Sequence, residues 1–252
     1  MSDTLIVPTM AEFLAQGKQP EVLFWVGCAG SFDDRAKKIT KAFVKILNKA
    51  NIDFAVLGTE ESCSGDPAKR AGNEFLFQMQ AMMNIQVLNG YEIKKIVTTC
   101  PHCFNTLKNE YPNLGGNYEV MHHTQFLKDL LNEGRLKVEG GKFKGKRITF
   151  HDPCYLGRGN DVYESPRDLI RRLGVNLTEM KSNKKTALCC GAGGAQMFKD
   201  AEAGDKEVNI LRTEDALETK PDIIATGCPY CNTMMTDGIK FKEKEAEVVV
   251  KD

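Results

Sequence analysis

Residues 96–103 read IVTTCPHC, and residues 224–231 read IATGCPYC. In each, a short β-branched run of strand type meets two cysteines three positions apart, with proline directly after the first. Proline suits the first position of a helix, where it has no amide hydrogen to lose. Each stretch therefore reads as a buried strand feeding a helix start. The strand Ile93–Thr98 leads into Cys100-Pro101-His102-Cys103, and the strand Asp222–Thr226 leads into Cys228-Pro229-Tyr230-Cys231. A strand-to-helix junction written twice points to parallel α/β units.

The rest of the chain repeats around these two junctions. Cys28 and Cys154 are offset by 126, as are Cys63 and Cys189, while the two CPxC units are offset by 128. Core packing does not require thiols at matching intervals in two halves of a chain; a repeated ligand set does. In the first half, Glu21–Gly27 reads as a strand, Arg35–Ala50 as a helix with Ala36, Ile39, Phe43, Ile46 and Ala50 on one face, and Asp53–Leu57 as a second strand. Asp66 is placed as the cap of a helix that has Pro67 at its first position and runs towards Gly90. After Cys103 a short helix is expected to stop before Pro112, and Tyr118–Leu131 reads as a strand and a helix. In the second half the strand Arg147–His151, the helix Pro166–Leu173, the strand Asn176–Met180 and a helix within Lys206–Leu217 keep the same order. A counterpart of Tyr118–Leu131 would begin near Ala246, so the second half is expected to lack its last helix.

The fold class that follows is α/β: two pseudo-symmetric repeated halves with short parallel sheets, and metal sites where strands end and helices begin. The expected domains are 1–134 and 147–252, joined by a Gly- and Lys-rich linker at 135–146. Among 252 residues, Lys+Arg and Asp+Glu both total 34, a balance that implies neither nucleic acid nor an anionic membrane surface as partner. Met1–Pro20 is too polar for an export or transit signal, and no long apolar run offers direct membrane insertion. Nine cysteines in this setting read as metal-binding or redox-active thiols, in the cytoplasm, and not as a disulfide framework.

Two thiols three apart at a helix start can face one metal, and the free amides of that turn favour thiolate. Four thiolates gathered from three segments suit zinc or an iron–sulfur cluster. In the first half those are Cys28, Cys63, Cys100 and Cys103, and spacing leaves the choice between a [4Fe–4S] cluster and zinc open. In the second half they are Cys154, Cys189, Cys190, Cys228 and Cys231. The adjacent pair Cys189-Cys190 is hard for a single metal ion to use and favours a multi-iron group.

The second-half motif Cys154…Cys189-Cys190-Gly191…Cys228-Pro229-Tyr230-Cys231 resembles the cysteine-rich CCG domain of heterodisulfide reductase and of related iron–sulfur oxidoreductases, and the likeness runs from about Val22 to Asp237. The resemblance implies an iron–sulfur electron-transfer subunit of an oxidoreductase complex. It also implies that the five second-half cysteines hold a [4Fe–4S] cluster, which heterodisulfide reductase carries in a non-cubane form. The first half departs from the pattern with Cys63-Ser64-Gly65 in place of Cys-Cys-Gly. The stretch 61–70 (ESCSGDPAKR) resembles the branch of the family associated with passing electrons from electron-transfer flavoprotein to quinone. Implied partners are a flavoprotein such as electron-transfer flavoprotein and a ferredoxin-like or membrane subunit, through which the chain would sit peripherally at the inner membrane. Two other functions compete: a catalytic disulfide or thiol reductase acting at the second cluster, and a zinc-bound structural or interaction module.

Weaker signals carry alternatives of their own. His151 reads either as a donor to cluster sulfur or as a strand-end histidine bonded to a carbonyl, and His122-His123 as ligands, proton donors or the cap of the next helix. Lys69 and Arg70 read as charges offsetting a cluster or as a solvated helix face, and 75–83 (FLFQMQAMM) as core first and partner surface second. CPHC alone would suggest dithiol exchange, which its twin CPYC argues against.

Overall fold

The computed structural model describes residues 5–138, 141–200 and 203–252. They divide into two compact units, Met1–Leu136 and Lys137–Asp252. In the first unit the order is α1 (Met10–Ala15), β1 (Val22–Trp25), α2 (Gly27–Phe32), α3 (Asp34–Lys49), β2 (Phe54–Ala55), α4 (Asp66–Arg70), α5 (Glu74–Gly90), β3 (Lys95–Thr98), α6 (Pro101–Asn105), β4 (Glu119–His122) and α7 (His123–Asn132). The second unit runs β5 (Arg147–Phe150), α8 (Glu164–Arg172), β6 (Asn176–Leu177), α9 (Val208–Glu218), β7 (Ile223–Ala225), α10 (Pro229–Phe241) and β8 (Val249–Lys251). Each unit holds one four-stranded sheet, ordered β2-β1-β3-β4 and β6-β5-β7-β8, and every pairing is parallel. The two α/β halves expected from the repeat are thus present, with one strand order used twice.

All four residues of β1 are buried, the signature of a parallel strand covered on both faces. In the second sheet, successive residues of β7 serve opposite faces. Ile223 packs with Ile148, Phe150 and Ile170, whereas Ile224 packs with Met180, Ala216, Met235 and Ile239. In α3, Asp33 accepts from the amides of Arg35 and Ala36 at 3.0 and 2.8 Å, and the fully buried stripe is Ala36, Phe43, Val44 and Leu47. Among the described residues no helix is long and apolar enough to cross a membrane.

Several expected elements are redrawn. The long helix from Asp66 to Gly90 is two helices, because Gly72 takes φ +86° and Asn73 caps α5 through the Leu76 amide at 3.0 Å. Asp66 is the first helical residue and not the cap, which is Gly65. The helix after Cys103 does not stop before Pro112: wide and then tight turns carry it through 106–114, with Pro112 near the start of the tight turn where its missing amide costs nothing. Only Asn176 and Leu177 of the strand expected to reach Met180 pair with β5. The apolar stripe 75–83 is not core. Phe77 and Ala81 are buried, but Phe75, Leu76, Met79, Met82 and Met83 are exposed.

Candidate metal centres

Cys154 lies in the turn after β5, Cys189 and Cys190 lie in the loop before α9, and Cys228 and Cys231 sit at the start of α10. The fold brings all five together. Cys154 hydrogen-bonds to Cys189, Cys189 to Cys190, Cys190 to Cys231 and Cys231 to Cys228. The Gly191 amide donates to Cys189 Sγ at 3.3 Å, which Gly191 can do because it adopts φ +91°. Hydrogen bonds from Cys154, Cys190 and Gly191 hold the Cys189 thiol far below its usual pKa. The bonds that Cys154, Cys190 and Cys231 make to neighbouring thiols, with burial, push those three up.

Polar side chains hold this cluster from behind. Asp152, 3% exposed, receives a two-pronged pair from Arg167, with Nη1–Oδ1 at 2.7 Å and Nη2–Oδ2 at 2.8 Å. The Lys184 amide donates to the same Asp152 Oδ2 at 2.8 Å. A single carboxylate thus ties the turn carrying Cys154 to the loop carrying Cys189. Arg167 also reaches Glu179 from Nε at 2.7 Å and from Nη2 at 2.8 Å.

His151 adds a donor. One ring nitrogen of His151 and the sulfurs of Cys190 and Cys231 lie within 4.8 Å of one another. Arg212 Nε donates to His151 Nδ1 at 2.9 Å. A guanidinium cannot accept a hydrogen bond, so Nδ1 is the acceptor and the proton of the neutral ring sits on Nε2. Burial, followed by the Arg212 charge, depresses the His151 pKa to about 3 and keeps the ring neutral. Nε2 is buried with no partner, and so is Arg212 Nη2, which lies within electrostatic reach of Cys231. With its proton on Nε2 and its lone pair engaged by Arg212, the His151 ring as placed offers the sulfurs an N–H and no free lone pair. Two orphaned N–H groups beside five thiols fit a negatively charged, sulfur-ligated group.

In the first unit Cys28 does not end its strand. Gly27, at φ +76°, turns the chain out of β1, and Cys28 falls in the first turn of α2. Cys28 hydrogen-bonds to Cys63 and Cys100 to Cys103, and Cys103 is electrostatically coupled to both Cys28 and Cys63. The Cys103 sulfur lies so near β1's end that a Cβ on Gly27 would sit 3.3 Å from it. The four thiols therefore also converge. Bonds to neighbouring thiols and burial push Cys63 and Cys103 up. Glu61 fixes the turn before Cys28, accepting from the Gly27 amide at 2.6 Å and the Val26 amide at 3.0 Å, and burial raises its pKa to about 7. Asn84 and Tyr111 hold the loop from the other side: Asn84 Nδ2 donates to the Cys63 carbonyl at 2.9 Å and the Tyr111 hydroxyl donates to the Ser64 carbonyl at 3.1 Å.

The remaining histidines and charges take structural places. His122 caps α7, with Nδ1 2.8 Å from Thr124 Oγ1 and its amide donating to Gln125 Oε1 at 3.1 Å. His123 packs edge-on against Phe43. Lys69 and Arg70 are tied into ion pairs: Lys69 pairs with Glu110 at 3.3 Å, and Arg70 pairs with Glu110 and with Asp66 at 3.0 Å. Asp66 in turn bonds His102 Nδ1 at 2.8 Å. Sequence reading missed Arg167, Arg212, Glu61 and Asn84; nothing in their spacing relates them to the cysteines they support.

Residues 22–108 and 148–236 each match CCG, the cysteine-rich domain family. The chain is 47% identical over 247 residues to the probable iron-sulfur-binding oxidoreductase FadF of Bacillus subtilis, covering 98% of this chain and 35% of FadF. It is 46% identical over 242 residues to the EtfAB:quinone oxidoreductase of Syntrophomonas wolfei, covering 94% of this chain and 34% of that protein. A dihydromethanophenazine:CoB–CoM heterodisulfide reductase component from Methanosarcina barkeri is 35% identical over 243 residues, covering 92% of this chain and 57% of that component. The chain thus spans between a third and three fifths of the length of these relatives.

Proposed function

We propose that this chain, which belongs to the CCG cysteine-rich domain family, is the iron–sulfur electron-transfer part of an oxidoreductase system. Its two cluster-binding domains would be 1–134 and 147–252, joined by 135–146. Cys154, Cys189, Cys190, Cys228 and Cys231 would hold a [4Fe–4S] cluster, cubane or non-cubane, and Cys28, Cys63, Cys100 and Cys103 a [4Fe–4S] cluster or zinc. The observation that carries this reading is the convergence of five thiols beside two orphaned N–H donors. The similarity to an iron-sulfur-binding oxidoreductase, a quinone oxidoreductase and a heterodisulfide reductase supports it.

An iron–sulfur group held there supplies reversible one-electron storage. The protein's own contributions are separable from it. The cysteines would be ligands once deprotonated, and α10 offers its N-terminal amides to the thiolates of Cys228 and Cys231. The His151 Nε2–H and Arg212 would balance thiolate charge, and burial of Cys190, Cys228 and Cys231 keeps water off the sulfurs. The proposed partners are a flavoprotein of the electron-transfer type and a ferredoxin-like or membrane component, with the chain on the cytoplasmic side of the inner membrane. A second reading, reduction of a disulfide at the second site, is favoured by the name of the methanogen relative alone.

Anaerobic iron and sulfide quantitation with electron paramagnetic resonance tests the proposal. The wild type is expected to hold iron and sulfide, and Cys190→Ser to disturb the second-site signal while the first site keeps its metal. A colourless protein containing zinc and no iron overturns the reading. A change in the second-site signal on adding a disulfide substrate would favour the reductase.

A further inference from the structure

The Cys63-Ser64-Gly65 turn is built as the Cys189-Cys190-Gly191 turn is built. Gly65 has φ +90° and Gly191 φ +91°. The Gly65 amide bonds the Cys63 sulfur, as the Gly191 amide bonds the Cys189 sulfur. The middle residues, offset by 126, are equally buried, Ser64 at 3% and Cys190 at 4% exposure. Each middle side chain reaches the last cysteine of its own CPxC unit: Ser64 hydrogen-bonds to Cys103, and Cys190 to Cys231. The turn leaves Ser64 little freedom, since Tyr111 holds its carbonyl and a Cβ on Gly65 would lie 2.8 Å from the Phe77 ring.

We infer that Ser64 occupies the fifth-donor place of the first site and fills it as an O–H donor to the Cys103 sulfur, and that this one hydroxyl fixes the first site as a four-cysteine centre distinct from the five-cysteine second site. The inference rests on reading both halves as iron–sulfur sites and adds what separates them. A hydroxyl in this place has two possible roles. Direct ligation would turn the oxygen to the metal, whereas the hydroxyl already points its hydrogen bond at the Cys103 sulfur. Donation keeps the proton and, when Cys103 ligates a metal, becomes a charge-assisted hydrogen bond of the stronger kind. Hydrogen bonds to cluster sulfur are among the levers that set reduction potential, so Ser64 is a positioning and tuning residue and not a ligand.

The test uses the full chain, purified anaerobically as wild type, Ser64→Ala, Ser64→Thr and Ser64→Cys. The first-site signal is isolated in a Cys190→Ser background. Ser64→Ala should keep the wild-type iron and sulfide content while the first-site midpoint potential falls, and Ser64→Thr, which retains the hydroxyl, should restore the potential. Ser64→Cys, with the second site intact, should move the first-site paramagnetic signal towards that of the second. Loss of first-site iron in Ser64→Ala would make the serine oxygen a ligand and overturn the inference. An iron-loaded protein whose first-site potential ignores Ser64→Ala, or whose signal ignores Ser64→Cys, would overturn it equally. A wild type without iron overturns the proposed function and this inference with it, so the two failures are distinct.

Discussion

Arg167 is the residue whose loss should cost the second unit most. Its side chain is fully buried and makes five hydrogen bonds: two to Asp152, two to Glu179 and one to the Tyr163 carbonyl at 2.9 Å. The guanidinium also lies over the Phe150 ring, 5.3 Å from its centroid. Arg167→Met keeps most of the stem volume and removes the charge. Glu179, whose side chain is 34% exposed, can turn to water and contributes little to the loss. Asp152, 3% exposed, cannot, and an uncompensated buried charge costs about 3–5 kcal/mol. For a unit of this size that corresponds to a fall in melting temperature of roughly 10–20 °C. Differential scanning calorimetry of the full chain reads it, with Asp152→Asn and the double variant completing a cycle. Asp152→Asn in the Arg167→Met background should recover part of the loss, because the stranded charge is gone. Strict additivity, or a fall of less than about 1 kcal/mol, would refute the claim that Asp152 and Arg167 act as one unit. The second-site metal should also be released more readily, because Asp152 joins the Cys154 turn to the Lys184 amide.

Two further outcomes are expected. His123 is buried against Phe43 and its pKa is depressed by burial to about 4 from 6.5. Between those values the unfolded chain binds a proton at this site that the folded chain refuses, so the His123 contribution falls as pH drops from about 6.5 to about 4, by about 3 kcal/mol in total. Urea titrations from pH 7 to 5 should show the wild type losing more stability than His123→Leu as pH falls, since His151 and, in the opposite sense, Glu61 titrate in both; equal slopes would sink the assignment. At the second site, His151→Leu removes the Nε2–H aimed at the sulfurs and should lower the second-site midpoint potential with the first unchanged, as read by potentiometric titration. An unchanged potential would mean that the proton is not where Arg212 puts it.

What was legible in the sequence was whatever the backbone itself encodes. The CPxC units could be placed because proline after the first cysteine fits the start of α6 and α10, and the matching offsets placed Cys28, Cys63, Cys154 and Cys189 around them. The break between α4 and α5 was also written, as Gly72-Asn73, but the apolar run after it looked like one continuous helix. That run misled a second time, because apolar residues on a helix need not face inward, and five of them here do not. The support of the sites was not legible at all. Arg212 acts on His151 across 61 positions, and Asn84 on Cys63 across 21, in pairings that exist only once the sheets have assembled. Spacing reports ligands that share a helix turn; it is silent on buried partners recruited from other elements.

That asymmetry of support sharpens what Ser64→Cys should do. The substitution gives the first site a fifth sulfur on a turn already shaped for it, but none of the donors that stand beside the fifth sulfur of the second site. Among the described residues, Arg212 is the buried cation with an uncommitted N–H, and it lies by Cys231. In the first unit, Lys69 and Arg70, on the helix that follows the Cys63 loop, are tied to Glu110 and Asp66. The new site would therefore carry one more thiolate and one fewer hydroxyl donor, with no compensating charge. Added negative charge at a cluster lowers its potential and donors raise it. Ser64→Cys should thus acquire a second-site type of signal at a potential below that of the native second site, and it should bind its metal less firmly than wild type in a chelator competition. Equal potentials at the two five-sulfur sites would show that the thiols alone set the chemistry, leaving Arg212 and His151 as packing.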